Sequence, residues 1–426
     1  MRVNQFLNIL YLYIMPESTK TYINGPINTV RLEGKINNVK KVIYLFMDIH
    51  EPTGNETECD DILSRDVKDY LVDKFQHVND GKMIDFFLEA QPSHIPSRKL
   101  HEYKENYINN LITLFSKAFQ KSEKGQAVVN KLFPTIRFHH IDPRDYFEWT
   151  TYSAFNGILN SVDTVWKSKY ILSSDLNYLS NKIEEINQWL SIIYTYFFKT
   201  DIDTLKDIIA KRKPIVPKSA EDKSRMTFED VSAQTFSLIK KVKSRYEHKD
   251  VMKGVNAILN NHVKKSYDAY SKLDKERVKL FNGISKELVD YLVFNNSLEH
   301  PNWGTSYDVK LKAMLDVELI FEKMFDEYMN FFVGLMDVYF IRRFLDKDYI
   351  TNVVAYTGAL HSLNYIFYLV KYFDFKVTDF SYANPEIKDY NKQIRNAKSP
   401  NELGIIFYPP ILKQCSDLTG FPKNFD

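Results

Sequence analysis

The sequence predicts an α/β core, a mixed sheet flanked by helices, interrupted by a large all-helical insertion. Three observations predict it. Short apolar runs rich in β-branched and aromatic residues alternate with helical spacing up to about residue 150. From there to residue 346 the strand pattern gives way to apolar residues at three- and four-residue steps, as in Met314, Val317, Phe321, Met324, Tyr328, Phe332 and Leu335. The strand-then-helix pattern returns over 347–426. A chain of 426 residues exceeds one simple core. We divide it into an N-terminal extension (1–20), the first part of the core (21–150), the insertion (151–346), and the rest of the core with a tail (347–426).

The elements follow in order. Residues 6–15 form an apolar decamer, too short for a bilayer, which needs about 20 residues. Without a small-residue cleavage site it makes a weak secretory signal, and Met15 is an alternative start. Residues 29–33 and 35–39 read as β structure with a bend at Gly34. They lead into the central strand, Val42-Ile43-Tyr44-Leu45-Phe46-Met47-Asp48-Ile49-His50. A polar loop follows over 51–61, then a helix over 64–75 with Ser64 as N-cap. Residues 83–88 form an apolar run ending in Glu89, 103–119 a helix, and 135–141 a strand ending in Asp142-Pro143-Arg144. Helical spacing covers 154–172, 175–198, 201–212, 227–247, 251–295 and 308–346, with a charged linker at 211–225 and a break at 300–307. A strand at 353–356, a helix at 361–373 and a strand at 375–380 complete the core. The tail, with Pro409-Pro410 and Phe421-Pro422, reads as irregular packing.

Composition narrows the function classes. The net charge of +2 gives no global argument for nucleic acid, and the Lys clusters read as solvated helix faces. No stretch is long and uncharged enough to span a membrane. Two cysteines, Cys59 and Cys415, make a disulfide framework unexpected and point to a reducing, intracellular compartment. The acids around Cys59 would raise its pKa, which disfavours it as a nucleophile.

The chemistry-bearing residues lie at strand ends. Asp48, His50, Glu89, Asp142, Arg144, Tyr356 and His361 each end or follow an apolar run, at what should be one rim of one sheet, where open α/β sheets place their sites. Two imidazoles and one or two carboxylates suit a hydrolytic metal site with His50, His361 and Glu89 as ligands. A divalent ion is a cofactor this donor set could hold; the residues themselves name none. Without metal, one histidine serves as general base for a water attacking a carbonyl. His50, His361, Glu89 and Asp48 would then be catalytic, with Arg144, Tyr356 and Asp142 binding the substrate, a small molecule or peptide. The structural alternatives are an Asp-x-His capped turn, Gly358 as a mere helix start, and Asp142-Pro-Arg144 as a surface turn with a weak ion pair. At most one of His139 and His140 can face the site, since neighbours alternate along a strand. His77, His94, His101, His248, His262 and His300 read as surface residues.

These residues carry a resemblance. An early acid-x-His strand end and a late Gly358-x-x-His361 resemble the superfamily of erythromycin esterase, the TraB and Tiki proteins and the haem-binding lipoprotein ChaN, whose early motif is Gly-Glu-x-His. Here Met47 and Asp48 stand in place of that Gly and Glu. Residues 22–61, with Val30-Arg31-Leu32-Glu33-Gly34-Lys35 and Thr57-Glu58-Cys59, are similar to uncharacterised proteins of giant, mimivirus-like DNA viruses of amoebae. The resemblance implies a giant-virus protein of the host cytoplasm, in its virus factory, or of the virion. It implies either an ester or amide hydrolase or a non-catalytic virion or factory protein, with the insertion meeting viral protein partners.

Overall fold

The structure, a computed structural model, describes residues 20–425 apart from 55–56, 79–80, 91–105, 120–129, 131, 143–154, 156, 164–172, 202, 205–206, 208–232, 245 and 295–302. The apolar decamer, the linker and the 300–302 part of the predicted break lie outside these residues. In chain order come β1 (Tyr22–Asn24), β2 (Asn28–Ile36), β3 (Val39–Asp48), β4 (Arg65–Asp66), α1 (Val67–Gln76), β5 (Ile84–Leu88), α2 (Tyr107–Ala118) and β6 (Ile136–His140). Then come α3 (Ser173–Tyr194), α4 (Ala233–Ser244), α5 (Lys249–Ile258), α6 (Lys264–Phe294) and α7 (Trp303–Leu345). Last are β7 (Asn352–Gly358), α8 (Ala359–Phe373), β8 (Lys376–Phe380), α9 (Tyr390–Asn396), α10 (Gly404–Phe407) and β9 (Cys415–Asp417). The chain forms two compact units, one from residues up to 142 and from 340 onward, the other from 143–339.

The first unit is built on a six-stranded sheet of order β6-β5-β7-β3-β2-β8. β6, β5, β7 and β3 run parallel, and β2 pairs antiparallel with both β3 and β8. β3 is buried on both faces, which is why its sequence is almost continuously apolar rather than alternating. Tyr44 and Phe46 turn to one face, where Phe75 of α1, Phe115 of α2 and the C-terminal Phe425 join them in one aromatic core. The other face packs α8 and the end of α7, with Phe87 against Phe340 and Phe340 against Tyr365. Lys41 is buried on β3 and donates to the carbonyls of Phe344, Lys347 and Ile350, capping the C-terminal end of α7. Burial pulls its pKa down to about 8, against the raising effect of Asp348, Asp85 and Asp346.

Three local expectations are corrected. β2 runs straight through Gly34, and the hairpin turns at Asn37 and Asn38, both at positive φ (47° and 68°) as a tight primed turn requires. Gly34 serves packing instead, since a Cβ there would run into the Phe375 ring. The N-cap of α1 is Asp66, which accepts from the Lys68 N–H, while Ser64 accepts from Asn24. The tail is more ordered than its prolines suggest. It contributes α9, α10 and β9, and β9 joins β1 and β4 in a small second sheet.

The cysteine expectation is overturned. Cys59 and Cys415 form a disulfide across 356 residues of sequence, tying the loop after β3 to β9. Their sequence context gave no sign of it, because the pairing depends on β1 meeting β9.

The second unit is helical. α3 continues into a π turn at Thr195–Lys199, and a second π turn at Leu259–Val263 joins α5 to α6 without a break. Ile183, Ile186, Trp189 and Leu190 of α3 and Phe321, Met324 and Tyr328 of α7 are buried. Asn187 bridges α3 to α6, donating to Asp274 and accepting from Tyr270. Gly334 allows close approach, since a Cβ there would meet Val263 at 2.8 Å. His248 is buried ahead of α5, not on the surface as its sequence context suggested. Among the described residues no helix is long and apolar enough to cross a membrane.

Candidate functional site

The parallel register brings three strand ends to one rim. Asp48 of β3 stands opposite Gly358 of β7, and Leu88 of β5 opposite Tyr356. The residue after Leu88 is Glu89, whose N–H donates to the Tyr356 carbonyl (3.1 Å). The chain segments carrying His50, Glu89 and His361 therefore converge although His50 and His361 are far apart in sequence.

Glu89 is the centre of the cluster. Its Oε2 accepts the Gly358 N–H at 2.7 Å and lies 3.9 Å from His50 Nε2. Its Oε1 lies 3.6 Å from Nε2 of His361, which sits in the first turn of α8. The N–H that Glu89 binds belongs to the N-cap of α8, so the carboxylate sits at the positive end of a fifteen-residue helix. Glu89 and His361 are both buried at 8% exposure, whereas the His50 side chain is 41% exposed and opens the cluster to solvent.

His50 is held by Asp48 at two points. Asp48 Oδ1 accepts the His50 backbone N–H (3.0 Å), and Oδ2 meets Nδ1 (3.1 Å). The backbone of His50 is left-handed, with φ 58°, a conformation that costs a residue other than glycine of order 1 kcal/mol. Asn106, which N-caps α2, donates to the His50 carbonyl (3.3 Å). With Nδ1 engaged by Asp48, Nε2 faces Glu89 and the opening of the cluster. Burial works against the imidazolium of His50. The Asp48 hydrogen bond and the charges of Glu89 and Asp48 outweigh burial and the opposing charge of His361, so the His50 pKa is raised above its ordinary value.

Gly358 has a steric role beyond starting a helix. A Cβ there would lie 3.1 Å from His50 Nε2 and 3.4 Å from Glu89 Oε2. The absence of a side chain lets the imidazole and carboxylate meet over the backbone.

The remaining predicted residues are placed differently. Tyr356 is completely buried, on the aromatic side of the sheet beside Phe46. Burial, with the nearby Asp48 and Asp66 carboxylates and a hydrogen bond toward Asp48, holds its hydroxyl well above the usual phenol range. It stands behind Asp48 and has no open surface with which to anchor a substrate. Asp142 is buried at the end of β6, where its N–H donates to the Ala90 carbonyl (3.4 Å). Arg144 lies outside the described residues.

The sequence reading passed over a second polar cluster. Asp85, in the middle of the apolar run of β5, is fully buried. It binds Arg137 bidentately (2.7 and 2.5 Å) and His139 Nε2 at 2.7 Å. The period of two was the available signal, since Asp85, Arg137 and His139 alternate onto one face of two adjacent strands. His139 stacks on Phe87 and does not approach the rim cluster.

The donor set does not close into a metal site. Among the described residues no three His, Cys, Asp or Glu side chains are placed to hold a metal ion. The Gly358 N–H engages Glu89, and Asp48 is committed to His50. The arrangement instead provides a carboxylate-oriented imidazole whose second nitrogen faces a carboxylate and a second imidazole. Such a group can take a proton from water and pass it on.

Comparison with known proteins places the chain in a family. The pattern of a family of unknown function, DUF5847, matches residues 21–426. The chain belongs to that family. It is 34% identical over 424 residues to an uncharacterised protein of Acanthamoeba polyphaga mimivirus, covering 95% of this chain and 96% of the relative. A second such protein of that virus is 32% identical over 95% of this chain and 98% of its own length. A third is 29% identical over 95% and 97%. No solved structure matches the chain. The viral side of the resemblance is thus established over nearly the whole chain, and the esterase side stands on its motif residues alone.

Proposed function

We propose that the chain is a giant-virus hydrolase that cleaves an ester or amide by general-base chemistry at the sheet rim. The observation that supports this reading is the paired approach of His50 and His361 to the two oxygens of one carboxylate, Glu89. Asp48 fixes the tautomer of His50, and Nε2 takes a proton from the attacking water. Glu89 lies within reach of His50 Nε2 and of His361, so it can stabilise the imidazolium that forms and relay a proton between the two rings. The positive end of α8 receives the Glu89 carboxylate through the Gly358 N–H, which fixes that carboxylate between the two rings. The substrate would be a small molecule or peptide, and the helical unit would meet viral partners in the virion or virus factory.

A second reading treats the cluster as a polar brace in a non-catalytic virion protein. The observation in its favour is that Asp48 and Glu89 are buried and already hydrogen-bonded within the unit. Turnover separates the two readings. A panel of nitrophenyl esters and anilides is assayed with the wild type and with His50→Gln. A hydrolase shows turnover that falls about 10²- to 10⁴-fold in the variant. Its rate rises with pH through a pKa above 6.5, because the base must be neutral to act. Turnover equal in both proteins would leave the brace.

A further inference from the structure

We infer that the Cys59–Cys415 disulfide is a redox-operated clasp on the rim cluster. The inference rests on His50 being the working group of the proposed site. These are the only two cysteines of the chain, and the structure spends both on one bond. The bond secures the segment that leaves His50. Gln414, next to Cys415, donates from its side chain to the Pro52 carbonyl (3.1 Å) and to Thr57 Oγ1 (3.0 Å). Lys413 pairs with Asp60 at 2.6 Å. On the other side of the segment Tyr107 donates to Glu58 (2.5 Å), and Asn106 reaches the His50 carbonyl. The left-handed turn at His50 thus lies between β3 and a loop whose described part, 57–61, is held by one covalent bond, by the buried Gln414 and by hydrogen bonds along residues 57–60. A strained backbone persists only while its surroundings over-determine it.

The bond is within reach of a reductant, since Cys59 and Cys415 are both only partly buried. A dithiol would attack Cys59 Sγ as a thiolate, breaking the bond and expelling the Cys415 thiolate. The second thiol of the reductant then displaces Cys59 from the mixed disulfide. The reductant ends as a disulfide, and its two protons pass to Cys59 and Cys415. With the clasp open, only hydrogen bonds and the Lys413–Asp60 pair join the loop to the β9 segment, and the His50 backbone can leave the conformation in which Asp48 binds both its N–H and its ring.

Hydrogen exchange by mass spectrometry tests this on the full chain, oxidised and after dithiothreitol, with a Cys59→Ser/Cys415→Ser double variant as the permanently open form. Carbethoxylation of His50 by diethylpyrocarbonate is followed in parallel. We expect exchange in segments 57–64 and 413–417 to rise about tenfold on reduction, with β3 and β7 unchanged. We expect His50 to react about threefold faster as its hold on the proton weakens. Unchanged exchange in 57–64 would overturn the clasp. A rise spread equally through β3 and β7 would also overturn it, since the bond would then be a staple of the whole unit. Neither readout needs a substrate. If loop and His50 respond while no ester is turned over in either state, the hydrolase reading fails and the clasp stands.

Discussion

The two histidine–carboxylate clusters of the sheet use the same residue types to opposite ends. In the inner cluster Asp85 is fully buried and meets a guanidinium, so its pKa is lowered: burial opposes, and the Arg137 and His139 hydrogen bonds prevail. With Arg137 supplying the positive charge, His139 need not. Burial lowers its pKa, and the attraction of Asp85 does not recover it. At the rim the carboxylates Asp48 and Glu89 meet imidazoles and a backbone N–H, and His50 is drawn toward the charged form. Where arginine completes the cluster, burial holds the histidine toward its neutral form. Where histidine completes it, the half-open ring is drawn toward its charged form, and that makes the rim the better candidate for chemistry.

Breaking the inner cluster gives the largest expected effect on stability. Asp85→Ala leaves Arg137 without its bidentate partner in a partly buried site and should cost about 3 kcal/mol. Urea denaturation measures it. A cost below about 1 kcal/mol would mean that the Tyr349 carbonyl and ring suffice for Arg137. At the rim, Asp48→Asn keeps an acceptor for Nδ1 and should cost about 1 kcal/mol in the same assay. It should nevertheless lower the His50 pKa, read from the pH dependence of carbethoxylation. If the stability costs came out in the reverse order, the assignment of the inner cluster to structure and the rim to chemistry would be wrong.

The pH dependence of stability sharpens the contrast through its sign. His50 has a folded pKa raised above the unfolded 6.5, so its stabilisation is fully present below 6.5 and is lost as pH rises through the folded value. The melting-temperature gap between wild type and His50→Gln should therefore shrink from pH 6 toward pH 8. His139 has a lowered folded pKa, so its contribution is present above 6.5 and is lost as pH falls through the folded value. The gap for His139→Gln should shrink from pH 7.5 toward pH 5. Parallel trends in the two variants would erase the distinction.

The rim was legible because a parallel sheet sends every strand end to the same side, so polar residues closing apolar runs can be collected without knowing strand order. Asp48, His50, Glu89 and His361 meet for that reason. Tyr356 fell into the same net although it precedes the strand end by two residues. At that register its side chain points into the aromatic face, where only its hydroxyl approaches Asp48. Asp85 escaped notice for the converse reason, as a charge in the middle of an apolar run looks like noise until its partners on β6 are known. The Asn37–Asn38 turn was readable from residue type, since asparagine tolerates positive φ, but Gly34 drew the bend to itself. The disulfide was beyond reach, because no local pattern encodes a contact across 356 residues.

The smallest expected effect tests the steric link between the rim's two halves. Gly358→Ala leaves the helix start intact, since φ at Gly358 is −52° and suits any residue. Only the new methyl matters, and it meets His50 Nε2 at 3.1 Å and Glu89 Oε2 at 3.4 Å. His50 is the more exposed of the two and the one able to move outward. The ring should swing away from Glu89 at a cost of about 1 kcal/mol or less. The His50 pKa should then fall, because one of its two stabilising carboxylates has receded. A pH titration of His50 carbethoxylation reads this shift apart from folding. Unchanged titration with lost stability would mean that the methyl displaces Glu89 or the strand, and that His50 owes its raised pKa to Asp48 alone.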